Sequence, residues 1–230
     1  MRKTIFVLGW LLCGFYNLCA QQQTNPQTDE KLKFGVQAGF SLSHFIIHDV
    51  NRADITDEPT LRFTGGINVD IPLKDQKIYF RPELLLNLNG HKQTDTVFTR
   101  THLSYIKIPA NLVFQLCSFS TGASNWSRIL LGFGPYLAYA LHGNYKQESE
   151  VSRVSFTNKE VPSTTVDYGA YFKRWDAGIN SFFEFAGTHF YSQFGSSFGL
   201  FNIKPGLQDN SGPQAKYKNF SLNLSYGWRF

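Results

Sequence analysis

Several features are scarce in this chain, and each scarcity removes a class of protein. Only three cysteines occur, and two of them, Cys13 and Cys19, lie in a leader-like N-terminal stretch. Once that stretch is removed Cys117 stands alone, so no intramolecular disulfide framework can form. Nowhere do 18 apolar residues run consecutively, which excludes a membrane-spanning helix. Charge is modest as well. The formal net charge of +5 falls to +3 when Arg2 and Lys3 leave with residues 1–20, and the remaining charges are scattered. A basic patch for nucleic acid is therefore not expected. The roughly 210 residues that remain suffice for one domain.

What is present begins with that leader. Arg2 and Lys3 form a positive n-region, Ile5 to Phe15 an apolar core, and Ala20 a small residue before Gln21-Gln22-Gln23. This reads as a secretory signal peptide over 1–20, followed by a polar periplasmic segment over 21–31. Tyr16-Asn17-Leu18 ahead of Cys19 lacks the small residues of a lipid-attachment signal.

Beyond it, apolar and polar residues alternate again and again. In the last stretch Phe220, Leu222, Leu224, Tyr226, Trp228 and Phe230 share one parity, and Asn219, Ser221, Asn223, Ser225, Gly227 and Arg229 the other. Successive strand side chains point to opposite faces, so this is a strand with one apolar and one polar face. The same pattern covers 34–42, 61–71, 78–90, 106–116, 129–141, 175–185 and 190–200. That makes eight strands, each long enough to cross a bilayer at a tilt. The gaps alternate too: 44–60, 91–102, 143–170 and 203–216 are long, while 72–77, 117–127 and 186–189 are short. Short periplasmic turns and long outer loops are the habit of outer-membrane barrels. The expected fold is all-β, an eight-stranded antiparallel up-and-down transmembrane β-barrel over 32–230, in the cell outer membrane. A soluble barrel with its apolar set inside is the competing arrangement. Aromatics near strand ends (Phe80, Tyr139, Trp175, Tyr226, Trp228) and polar faces rich in Gly, Ser and Asn favour the membrane.

Three prolines, Pro82, Pro109 and Pro135, sit inside strand patterns. Because proline cannot donate to a ladder, each is expected at a bulge or beyond a neighbour's end, with a bend near Gly132 and Gly134. The same positions carry a family likeness. Arg81-Pro82-Glu83-Leu84-Leu85, Ile106-Lys107-Ile108-Pro109, Gly134-Pro135-Tyr136-Leu137, Phe34-Gly-Val-Gln-Ala-Gly-Phe40 and the closing Tyr226-Gly-Trp-Arg-Phe230 resemble the PorT-like outer-membrane β-barrel family of the Bacteroidetes. The resemblance spans about residues 32–230 and implies the barrel scaffold. It implies no catalytic motif, and Lys107 stands where many relatives read an acidic residue. One namesake belongs to a secretion apparatus, a role that this chain does not inherit by likeness alone.

Eight strands enclose a lumen that side chains can fill. Its expected contents are a network of mixed charge: Arg81, Glu83, Lys107, Arg128, Asp176 and Glu184, with Arg62, Asp70, Arg174 and Arg229 on the same parity. This predicts a salt-bridged plug, with an ion or proton path as the alternative. Tyr226, Trp228 and Phe230 form the expected insertion signal. His44, His48, Asp49, His91, Asp95 and His102 gather around two outer loops but match no metal-ligand spacing. Ser43-His44, Ser192 and Ser196 are the candidates for a rim-located nucleophile, which would need a base within hydrogen-bond reach. No cofactor or metal is called for. The segment 145–156 keeps partial alternation and is expected to extend a hairpin beyond the membrane, and the loop around it is the best interaction surface. The expected role is therefore a non-enzymatic barrel with a structural or surface-interaction task. A lipid-modifying enzyme, a narrow channel and a secretion accessory are the alternatives. The expected partners are outer-membrane lipid, the barrel-insertion machinery and an extracellular ligand or protein, but not nucleic acid.

Overall fold

The computed structural model describes residues 31–48, 57–73, 77–93, 99–120, 126–147, 150–162, 170–208 and 216–230. The expected signal peptide, and all but the last residue of the expected polar segment, lie outside these, as do Asp49 and Asp95. Eleven strands are present among the described residues: β1 (Lys33–His48), β2 (Asp57–Pro72), β3 (Ile78–Gln93), β4 (Thr99–Ser120), β5 (Trp126–Gln147), β6 (Glu150–Arg153), β7 (Ser155–Phe156), β8 (Tyr171–Phe172), β9 (Trp175–Ala186), β10 (Phe190–Gly199) and β11 (Lys216–Arg229).

Eight of them close a barrel in the order β4-β3-β2-β1-β11-β10-β9-β5, with β4 pairing back onto β5. Every neighbouring pair in the ring is antiparallel. This is the eight-stranded barrel that the alternation predicts. The faces are settled as well. Phe34, Phe40, Leu61, Phe63, Ile67, Leu84, Ile108, Phe133, Ile179, Phe194 and Leu224 point outward and are exposed, whereas Gln37, Asn68, Arg81, Asn111, Asn180 and Ser225 are buried inside. An apolar exterior around a polar interior is stable only in lipid, so the soluble alternative falls.

The strands are longer than their patterns. β4 and β5 each run 22 residues, about twice what a tilted bilayer crossing needs. The expected second loop, 91–102, is mostly strand: Gly90 pairs with His102, Lys92 with Arg100, and Gln93 with Thr99. His44 likewise lies within β1, not in a loop. The predicted hairpin is present, with Asn144 opposite Arg153 and Gln147 opposite Glu150 in β5–β6.

The prolines behave differently from expectation. Register shifts occur between Pro59 and Thr64 of β2, and on β4 between Ser104 and Tyr105 and between Gln115 and Cys117. None of the three prolines falls at one. Around Pro82 the rungs toward β2 are missing, around Pro109 those toward β3, and around Pro135 those toward β4, with register kept on either side. The ring thus tolerates the absent donors by local gaps in the ladder. At the last gap β5 approaches β4 so closely that a Cβ on Gly134 would lie 2.1 Å from the Ala110 carbonyl oxygen.

Candidate functional site: a filled lumen and a capped mouth

The lumen is built in tiers. On the periplasmic side, inward glycines make holes for large rings. A Cβ on Gly132 would sit 2.2 Å from the Phe182 ring, and one on Gly227 2.2 Å from the Tyr191 ring. Those rings in turn carry guanidinium groups, Arg81 at 5.2 Å from the Phe182 centroid and Arg229 at 4.3 Å from that of Tyr191. The two arginines then meet two carboxylates. Arg81 donates to Asp70 from both Nε and Nη2 and to Glu184 Oε2 from Nη1 at 2.5 Å; Arg229 donates to Glu184 Oε1 at 2.6 Å and lies 3.0 Å from Asp70 Oδ2. Arg81 and Glu184 are both wholly buried, at 0% exposure. Two cations and two anions, arranged alternately, neutralise one another in the buried interior.

Above this plug Glu83 accepts from Gln37 and Asn111, each at 3.0 Å, and Asn180 donates to Asn111 at 2.5 Å. Lys107 donates to Ser197 at 2.5 Å and lies 4.1 Å over the Tyr136 ring. The Tyr136 hydroxyl donates to Asp176, which also accepts from Asn219 at 2.8 Å. Two small cavities flank Lys107, of about 40 and about 10 Å³. They hold at most about three waters and one.

The outer mouth is closed by an apolar cap. Phe45, Leu103, Tyr105, Tyr145 and Ala140 from the strands pack against Val154, Ala170, Phe172 and Ile203 from the outer segments. Backbone bonds knit those segments together: Val154 N to Gly143 O, Thr157 N to Phe172 O, Lys173 N to Ile203 O and Ile203 N to Tyr217 O. Lys204 is buried in this cap, its ammonium 3.8 Å from the Phe172 centroid and 5.3 Å from that of Tyr217. Burial pulls its pKa down to about 7.

The expected network is thus divided. Arg81 and Glu184 belong to the four-charge plug, whose other members are Asp70 and Arg229; Glu83, Lys107 and Asp176 occupy the tiers above. Arg128 stands at the edge of the plug: its charge acts on Asp70, and its Nη1 donates to the Tyr79 hydroxyl at 3.4 Å. Tyr226, Trp228 and Phe230 face outward on β11 and beyond it, Phe230 being 72% exposed and Trp228 packed edge-on to Phe190.

The nucleophile candidates do not assemble. Ser43 and His44 are adjacent on a strand, so their side chains leave by opposite faces. The Ser43 hydroxyl is buried and accepts from Gly90 N at 2.9 Å while donating to Gly90 O at 3.0 Å, across the β2 bulge. His44 packs outside against Phe220. Ser196 shares a hydrogen bond with Ser181 at 3.1 Å on the lipid side, and Ser192 pairs in the ladder with Phe185 and Tyr226. The histidines also diverge: His91 stacks on Phe45 inside the mouth, whereas His102 lies on the outer face of β4 opposite Gly90 and Asn144. Among the described residues no three His, Cys, Asp or Glu side chains come close enough to hold a metal ion.

Fold and contents together define an integral outer-membrane β-barrel whose lumen is packed and whose outer mouth is capped. The chain belongs to the outer membrane protein beta-barrel domain family, whose model matches residues 19–204, and it resides in the outer membrane. Among solved structures it is similar to Ail, the attachment invasion locus protein of Yersinia pestis, in complex with the heparin analogue sucrose octasulfate: 11% identity, 87% of this chain and 99% of that one, TM-score 0.40. Neisserial surface protein A matches at 9% identity over 86% and 97% of the two chains, TM-score 0.39. The N-terminal β-barrel domain of Pseudomonas aeruginosa OprF matches at 9% over 84% and 97%, TM-score 0.32. No curated protein matches the chain.

Proposed function

We propose that this protein is a non-enzymatic surface barrel, held in lipid by its belt and presenting its folded outer cap to an extracellular ligand or protein. The observation that carries this reading is the closure of the mouth. An apolar cluster closes the lumen from outside, and the described segments around it are strand and loop joined by backbone hydrogen bonds. Such a scaffold suits recognition on its outer surface, where rigid elements hold exposed residues such as Val151 and Phe201. The tiers below have a structural task, since ion pairs and amide bonds fill the space that a channel would need. In this reading residues 1–20 direct export, and Tyr226, Trp228 and Phe230 engage the barrel-insertion machinery. Membership of the PorT-like branch is part of the proposal and rests on the motifs around Pro82, Pro109 and Pro135. Neither a cofactor nor nucleic acid has a place in it.

The test uses a Cys117→Ser background, since Cys117 is a buried cysteine outside any disulfide. Val151→Cys and Phe201→Cys should react with a membrane-impermeant maleimide on intact cells, and the reconstituted protein should carry no steady current. Labelling only after the outer membrane is permeabilised would reverse the topology. A stable conductance would replace the capped barrel by a pore.

A further inference from the structure

Just above the apolar belt, the outer face of β2–β6 collects cations. Leu61, Leu88 and Leu141 end the lipid-facing apolar rows on β2, β3 and β5. One rung higher Gly90 lies opposite His102, His102 opposite Asn144, and Asn144 opposite the exposed Arg153. On the next rung Lys92, Arg100 and Lys146 stand side by side on β3, β4 and β5. Neighbouring strands lie about 4.8 Å apart, so these three cations span about 10 Å. Arg62, placed in the lumen by its parity, instead reaches them from the β2 bulge, where the register shift re-aims its side chain. A Cβ on Gly90 would meet its Nη2 at 2.9 Å, so the guanidinium lies over that glycine, and its charge and that of Arg100 repel one another.

The acids described at this level are few. Glu58 accepts from Lys92 at 2.7 Å, and Glu150 sits at the hairpin tip opposite Gln147. Arg62 Nε and Nη2 and Arg100 Nε are buried and have no acceptor among the described residues. Cations that repel one another, with donors lacking acceptors, are the groups that a phosphate satisfies, because a guanidinium meets it with two parallel N–H···O bonds. Their height decides the source. They begin one rung above the last lipid-facing leucines, within the few ångströms of headgroup that border the hydrocarbon, and they face away from the lumen.

We propose that the outer face of β2–β5, centred on Arg62 and Arg100 and flanked by Lys92, His102 and Lys146, binds phosphate groups of outer-leaflet lipid. The assignment is independent of what the cap recognises, since it concerns the sides of the strands and not their ends.

The experiment measures binding of bisphosphorylated lipid A, and of the same lipid after dephosphorylation, to the full-length folded protein in detergent. Wild type should prefer the phosphorylated form by at least about tenfold, the worth of one charge-assisted contact. Arg62→Gln with Arg100→Gln should abolish the preference. Heat-dependent gel mobility checks that the barrel is intact. Should that pair fail to fold, Lys92→Gln with Lys146→Gln tests the upper rung, and the preference should fall at least threefold. Equal binding of both lipids by wild type, or an unchanged preference in folded variants, overturns the proposal. So does inositol hexakisphosphate binding as tightly as the lipid and losing affinity in the same variants, which would make the cluster a soluble-polyanion site.

Discussion

Replacing Arg81 by methionine tests the logic of the periplasmic plug. The change keeps most of the side chain's volume and its packing on Phe182, but removes the guanidinium that links Asp70 and Glu184. Arg229 still reaches both carboxylates, so one cation faces two buried anions. Breaking one arm of a buried ion pair costs about 3–5 kcal/mol, because the orphaned charge keeps its desolvation cost. Arg229 offsets part of this, which places the expected loss near 3 kcal/mol, a factor of about 150 in the folding equilibrium. Adding Asp70→Asn restores balance with one cation and one anion. The double variant should therefore recover at least about 1 kcal/mol relative to the sum of the single effects. The assay is urea unfolding of the purified barrel in lipid vesicles, followed by tryptophan fluorescence and gel mobility. Additive effects, or an Arg81→Met loss below about 1 kcal/mol, would refute the account of the four charges as one unit.

Three further outcomes follow from the same structure. Gly132→Ala places a methyl carbon against the Phe182 ring and should lower stability by about 1–3 kcal/mol, read as a lower urea midpoint with unchanged gel mobility. Phe172→Ala removes a wholly buried ring from the cap and should loosen the mouth by about 3–5 kcal/mol, seen as faster hydrogen exchange in 154–162, 170–172 and 200–208 while the barrel strands stay protected. Lys204 sets a pH dependence: its charged form is disfavoured in the folded cap, so the undocked cap binds more protons between pH about 7 and 10.5. Cap stability should rise with pH across that window and be lowest below it, and Lys204→Met should flatten the trend in limited proteolysis.

The fold was legible because a lipid-facing strand obeys a strict two-residue period, as Phe220 to Phe230 do against Asn219 to Arg229. That signal fades where lipid ends. At Thr101, Leu103 and Tyr145 the inner face packs beneath an apolar cap while the outer face bears Arg100, His102 and Lys146. The inside is then apolar and the outside polar, the reverse of the belt, which is why 91–102 reads as a loop. Parity grouped Arg62 and Arg174 with the inward charges, although the Arg62 guanidinium lies over outward Gly90 and Arg174 over the Tyr139 and Phe156 rings, and it said nothing of partners. Arg81 and Glu184 come from β3 and β9, which share no ladder, and meet only because the ring closes. The cap escaped notice for a related reason, since Phe172 and Ile203 lie in segments without alternation and Val154 in one where it is only partial. Ser43 and His44 looked like a catalytic pair because they are adjacent, and adjacency on a strand is what separates them.

The seam between β1 and β11 runs through fourteen consecutive pairs, from Gly35 opposite Arg229 to His48 opposite Lys216, without a shift of register. The two strands lie far apart along the chain, so this ladder is the slowest to find and has no local turn to guide it. Until it zips, the sheet has two open edges whose amide and carbonyl groups invite pairing with any other strand nearby. Closing this one unbroken ladder removes both edges at once, so the finished barrel offers no free strand to its own copies.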